Sequence, residues 1–295
     1  MEPPNDRPKL RMAPPETAEE TAHRLEREQR AVDLQRESSL EQSLAPFRVG
    51  NSGFLNTVPL TRGLEEEIIY DTPARLAKML QHDELDAALV SVVEVLFSDR
   101  YDILDSVAIA SLGEVKSVLM AHRKPLSEVT EVYCDTASLT SVQLLRVLLA
   151  ERGLKPEFKP LASYDFAALP DYAMLIGDKA LDFALGPHEH EIFDLGAAWY
   201  ELTNLPFVFA VWALRRGVHN AALRRQLREA RDFGLDTLDS IIRTRTEYTY
   251  DFRNDYLSWH IHYHLGSDEK RGLAKFMELL RKHGAAALYE PRFVV

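Results

Sequence analysis

The 295-residue sequence has a single cysteine, Cys134. It cannot close an intramolecular disulfide, and a cysteine-built zinc site is excluded. No stretch approaches the ~20 apolar residues that a membrane span needs. The opening, MEPPNDRPKLRMAPPE, has no apolar run and does not read as a secretory signal. Positive charge is in deficit: 35 Lys and Arg against 46 Asp and Glu leave a net charge of −11. That balance argues against nucleic acid, whose phosphates require a cationic footprint. A Gly-x-Ser-x-Gly elbow, a Walker sequence and a dinucleotide fingerprint are all missing, so no cofactor is expected. These absences describe a cytoplasmic protein with neither a membrane nor a nucleic-acid partner. They leave its oligomeric state open.

What is present divides in two. Residues 1–46 hold six of the fifteen prolines, ten acidic and seven basic residues, and no Phe, Trp or Tyr. Thr17-Ala18-Glu19-Glu20 reads as a capping box, after which a polar helix runs to about Leu44. Its apolar stripe (Ala18, Ala22, Leu25, Val32) is thin. The extension is therefore expected to be disordered or a solvated helix.

From Phe47 onward short apolar runs alternate with amphipathic helices. Strands are expected from Phe47 and over Glu67–Tyr70 and Ala87–Val90, with a helix between Phe54 and Leu64. A second helix starts at Thr72 as N-cap with Pro73 at its first position. Ser91-Val92-Val93-Glu94 reads as a further capping box. This β-α-β-α-β order implies a parallel sheet with right-handed crossovers. Strands follow over 106–110, 117–121, 131–135, 157–161 and 172–176, with a helix over 138–152. Residues 177–206 read as loop-rich before the apolar strand Phe207–Trp212, and the remainder is helical. Residues 47–116 plus 212–295 then form lobe I and 117–211 form lobe II, joined by two crossing strands. This is an α/β architecture of the two-lobed, type II periplasmic-binding-protein kind, with a ligand cleft between the lobes.

In such sheets ligands bind beyond the carboxyl ends of the strands, facing helix N-termini. Three junctions there are rich in hydroxyls and amides: Gly50–Leu60, Ser91–Glu94 and Asp135–Ser141. Helix N-termini favour carboxylates or phosphates. Each Ser or Thr, taken singly, reads first as an ordinary N-cap; three such junctions converging on one cleft point to a bound polyanion. His260 and His264 stand four apart, but Ile261 occupies the position where a metalloprotease helix carries Glu, and no third ligand is evident. No metal is expected. His188 and His190 read as solvated or hydrogen-bonded loop residues. Cys134, beside Asp135, sits where thiolate formation is discouraged.

Six blocks resemble the chorismate dehydratases of the futalosine route to menaquinone: Phe54–Leu60, Leu85–Glu94, Gly113–Val118, Asp135–Ser141, 171–216 and Tyr263–Gly266. They lie in the family's order across about 47–280. The resemblance implies dehydration of chorismate, a small dicarboxylate, to 3-[(1-carboxyvinyl)oxy]benzoate. It implies Asn56 as the catalytic residue. It implies Ser91, Ser117, Ser138, Thr140, Ser141, Gly177 and Asp178 as substrate-binding residues. The chain departs from the usual family wording at Gly53 and Phe54, where hydroxyls are lost, and at Leu139, where a cation is lost. The sister enzyme that makes dihydroxynaphthoate is disfavoured, because its early Ser-Pro-Cys-Pro-Asn-Asp-like motif is replaced here by Asn51–Asn56. The alternatives are a non-catalytic paralogue or a solute-binding module for an aromatic or enolpyruvyl acid.

Overall fold

A computed structural model describes residues 18–39, 44–218, 220–285 and 287–295. Thr17, the expected N-cap of the first helix, lies outside them.

The first four strands are β1 (Val49–Asn51), β2 (Ile68–Tyr70), β3 (Ala87–Ser91) and β4 (Tyr101–Ser111). They alternate with the helices α2 (Pro73–Gln81) and α3 (Val92–Leu96), which follow the N-terminal α1 (Ala18–Ser39). Thr72 caps α2 through its side chain and Pro73 opens the helix, as the sequence predicts. The second group is β5 (Val118–His122), β6 (Glu131–Cys134), β7 (Glu157–Pro160), β8 (Tyr172–Ile176) and β9 (Glu191–Asp194). With these strands run α4 (Leu139–Glu151), α5 (Gly177–Leu185) and α6 (Leu195–Thr203). The chain closes with β10 (Phe207–Arg215), α7 (Ala221–Asp236), α8 (Leu238–Thr244), α9 (Tyr250–Asp255), a π-helical turn at Tyr256–His260, α10 (Ser267–Lys282) and β11 (Phe293–Val294).

Two sheets result. The first has the order β11-β4-β10-β3-β1-β2 and the second β7-β6-β8-β5-β9. In the first, β1, β2 and β3 are mutually parallel, and β10 runs antiparallel between β3 and β4. Every residue of β3 is buried, as a strand covered on both faces requires. The chain passes between the sheets twice, after β4 and before β10.

Several expectations change. β10 lies wholly in the first sheet, so a division between Val211 and Trp212 would cut a continuous strand. Residues 177–206 are not loop-rich: they form α5, β9 and α6. Gly177, Gly186 and Gly196 interrupt the apolar pattern there, yet each sits at a helix end or a close backbone approach rather than in a loop. The Ser91–Glu94 capping box does not form, because the Ser91 hydroxyl is engaged elsewhere and Glu94 accepts a bond from Gln81. The N-terminal extension is not simply a solvated helix either. α1 docks on α7 and α8 through a charged face, with buried Glu28 paired to Arg243 at 2.8 Å and Arg24 paired to Asp239. Leu25, from the thin apolar stripe, faces outward.

The 3-10 turn Leu55–Thr61 follows β1 and carries Asn56. It is pinned from behind by α7, where a side chain on Gly234 would meet the Pro59 carbonyl at 1.9 Å. Only glycine allows that approach.

Candidate active site

A half-open cleft lies between the two sheets. Its floor is apolar: Leu89, Val90, Ile109, Val118, Ile176 and Phe209, with Phe54 at one side. Its polar groups are Ser52, Asn56, Thr57, Ser91, Ser117, Ser138 and Ser141. Among the described residues no Asp, Glu, His, Lys or Arg lines it.

Each polar group arrives by a local rule. Ser91 ends β3, and α3 starts at the next residue. Ser138 is the N-cap of α4, its Oγ accepting from Ser141 N at 3.3 Å. The Ser91 and Ser138 hydroxyls meet at 3.0 Å across the two lobes, and Ser141 Oγ donates to Ser138 Oγ at 3.1 Å. Three hydroxyls therefore converge where the N-termini of α3 and α4 face each other. Helix dipoles add positive potential there without a titratable charge. Ser117 enters from the crossing segment before β5.

Asn56 is nearly fully buried, and its Oδ1 has no hydrogen-bond partner. An unpaired buried amide oxygen costs about 1–3 kcal/mol. On its other side Asn56 lies, with Ser117, beside the hydroxyl of Tyr256, which is almost completely buried; the Ser117 hydroxyl donates to the Val115 carbonyl at 3.4 Å. Burial pushes the Tyr256 phenol up, and the neighbouring Ser117 and Asn56 side chains oppose the shift. Tyr256 opens the π-helical turn, an irregularity frequent at functional sites. Sequence reasoning missed this residue. An apolar-periodic segment gives a site tyrosine and a core tyrosine the same signature.

Of the residues expected at the site, Asn56, Ser91, Ser117, Ser138, Ser141 and Gly177 are brought together around the cleft. Gly177 has a φ of +59°, and a side chain there would lie 2.8 Å from the Phe54 ring. Thr140 and Asp178 are not in the lining. Thr140 is fully buried, its Oγ1 accepting from Val93 N at 3.1 Å between the lobes. Asp178 Oδ1 accepts from Leu55 N at 3.2 Å, latching lobe II to the turn that carries Asn56. Burial raises the Asp178 carboxyl above its ordinary value, with Asp182 and Glu247 adding to the shift and the Leu55 bond opposing it.

A third seam residue is Asp194, which caps α6 through Ala197 N at 2.9 Å. It also accepts from Val115 N at 3.1 Å and Lys116 N at 2.7 Å in the crossing segment. Asp194 thus fixes the loop that delivers Ser117. The departures from family wording also find places. Gly53 is exposed with open space around it, Leu139 packs against the core, and only Phe54 faces the cleft.

His260 and His264 do not share a helix face. The π turn ends at His260, whose Nδ1 lies 2.8 Å from the Glu114 carbonyl, and the chain then extends. Cys134 is buried and its thiol is pushed up to about 12, chiefly by desolvation.

Comparison with known proteins places these features. Residues 47–282 match the model of a family described as menaquinone biosynthesis. The chain is 32% identical to a chorismate dehydratase from Thermus thermophilus, over 80% of this chain and 96% of that protein. It is 28% identical to one from Campylobacter jejuni, over 76% and 89%. Among solved structures it resembles a Candida albicans protein described as having the generic periplasmic binding protein fold, with a TM-score of 0.54. There the identity is 12%, over 84% of this chain and 92% of that one.

Proposed function

The chain belongs to the menaquinone biosynthesis family, and on that premise we propose that it is a cytoplasmic chorismate dehydratase, a hydro-lyase acting in the cleft between the lobes. The observation that carries this reading is Asn56: a buried amide beside Tyr256, with Oδ1 unpaired, at a charge-free cleft ringed by serine hydroxyls.

The reaction removes the ring C3 proton and the C4 hydroxyl of chorismate as water and leaves an aromatic ring. Aromatisation supplies the driving force. The protein's task is to hold a dicarboxylate in a reactive, water-poor geometry. Ser91, Ser138 and Ser141, at the facing N-termini of α3 and α4, receive one carboxylate. Ser117 lies on the Tyr256 side with Asn56. The free Oδ1 of Asn56 accepts a hydrogen bond from the C4 hydroxyl and aligns the breaking C–O bond as enolate-like charge develops in the ring. A substrate carboxylate takes the C3 proton and passes it to the departing hydroxyl, a route suited to a lining without an acid or a base. The apolar floor keeps water from competing.

Incubating the purified chain with chorismate and resolving the products by chromatography tests this. Formation of 3-[(1-carboxyvinyl)oxy]benzoate above the enzyme-free control is expected. Chorismate that raises the melting temperature but is recovered unchanged would instead identify a binding paralogue.

A further inference from the structure

Outside the cleft, three side chains with metal-binding chemistry converge where α10 begins. His262 and His264 stand two residues apart on the extended segment after the π turn, so their side chains leave the same side of the chain. Their rings stack at 5.2 Å and 21°. Glu269, in the first turn of α10, faces them. Its Oε2 accepts from Gly266 N at 2.9 Å, which fixes the carboxylate. Its Oε1 then lies 3.1 Å from His264 Nε2 and 3.8 Å from His262 Nδ1.

All three ligand atoms fall within 4.8 Å of one another. A tetrahedral zinc site with bonds of ~2.0–2.1 Å places its ligand atoms about 3.3 Å apart, inside the range of the two measured pairs. Glu269 is almost completely buried, and its ion-pair partners among the described residues are these two imidazoles. A buried carboxylate requires a compensating cation. The Nδ1 atom of His262 is itself buried with no hydrogen-bond partner. His264 is mostly exposed, so an ion reaches the group from solvent.

We propose that His262 Nδ1, His264 Nε2 and Glu269 Oε1 form a three-ligand site for a divalent transition-metal ion of the zinc type. Two imidazoles and one carboxylate suit such an ion rather than magnesium or calcium, which prefer all-oxygen shells. This revises the expectation of no metal, for which the histidine pair considered was His260 and His264. The ion fastens the extended segment to α10. That segment also pairs with β4, His262 and Ala110 exchanging backbone hydrogen bonds at 2.8 and 2.9 Å. The segment connects the Tyr256 turn to α10, so the site acts on stability and takes no part in the chemistry of the cleft.

The test is calorimetric titration of Zn²⁺ into the tag-free, metal-stripped full chain, beside His264→Ala and Glu269→Gln. His264 is exposed and Gln retains an oxygen for Gly266 N, so both variants keep the local fold. One Zn²⁺ per chain is expected, with affinity falling more than about 100-fold in each variant. A Zn²⁺-dependent rise in melting temperature should accompany binding in the wild type and vanish in His264→Ala. Absence of one-to-one binding, or equal affinity in all three proteins, would overturn the proposal.

Discussion

The cleft and the seam beside it use similar residues in opposite ways. At the seam three polar side chains are committed: Thr140 to Val93 N, Asp178 to Leu55 N, and Asp194 to Val115, Lys116 and Ala197. These bonds hold the lobes and the crossing segment in place. In the cleft, Asn56 keeps Oδ1 unpaired, and the hydroxyls of Ser91, Ser138 and Ser141 bond to one another. Polar groups already paired within the fold position the site, whereas those left unpaired, at a cost in stability, are available to a ligand. Sequence blocks that look equally functional therefore divide between groups paired across the seam and groups that line the cleft.

Substitutions separate the two. The largest effect is expected for Asn56→Ala, which should lower kcat by about 100-fold or more while chorismate still binds, as for the loss of a transition-state hydrogen bond. Steady-state rates beside a binding titration check this, and an unchanged kcat would remove Asn56 from the chemistry. Ser138→Ala removes the hydroxyl at the centre of the cluster and should raise KM about tenfold, within the ~1–3 kcal/mol of a charge-assisted hydrogen bond. Its effect on kcat should be smaller.

Seam substitutions should behave differently. Thr140→Val leaves the buried Val93 N–H unpaired and should cost about 1–3 kcal/mol of stability in denaturant titration. Its activity per folded molecule should stay near wild type, and a KM defect would return Thr140 to the substrate site. The smallest effect is expected from Asp178→Asn. The Asp178 carboxyl titrates above its unfolded value in the folded protein. Its contribution to stability is therefore fully present below the ordinary carboxylate range and is lost as pH rises through the raised value. Wild type should gain stability relative to Asp178→Asn as pH falls from 7 toward 4. A difference in denaturation midpoints that does not vary with pH would contradict this.

The fold was legible where local chemistry and tertiary packing agree. Thr72 and Pro73 open α2 as their types dictate, and the continuous apolar run of β3 marks a buried strand. It was less legible where glycine serves packing instead of a turn, as at Gly177 and Gly196, so that α5 and α6 read as loop. The Ser91 capping box failed for a tertiary reason: Ser138, 47 residues away, engages that hydroxyl. Asn56 and the cleft serines stand out in the sequence because hydroxyls and amides cluster at strand–helix junctions. Thr140 and Asp178 share that signature, and only three-dimensional pairing shows that they face the neighbouring lobe. Tyr256 carried no signal, since its role depends on contacts with Asn56 and Ser117 far away in sequence.

The most direct test of this division is a single assay of chorismate turnover by wild type, Asn56→Ala and Asp178→Asn, with chorismate-induced stabilisation measured on the same samples. Wild type and Asp178→Asn should form 3-[(1-carboxyvinyl)oxy]benzoate at similar rates, and Asn56→Ala should be stabilised by chorismate while forming almost none. Equal turnover by wild type and Asn56→Ala would contradict the account.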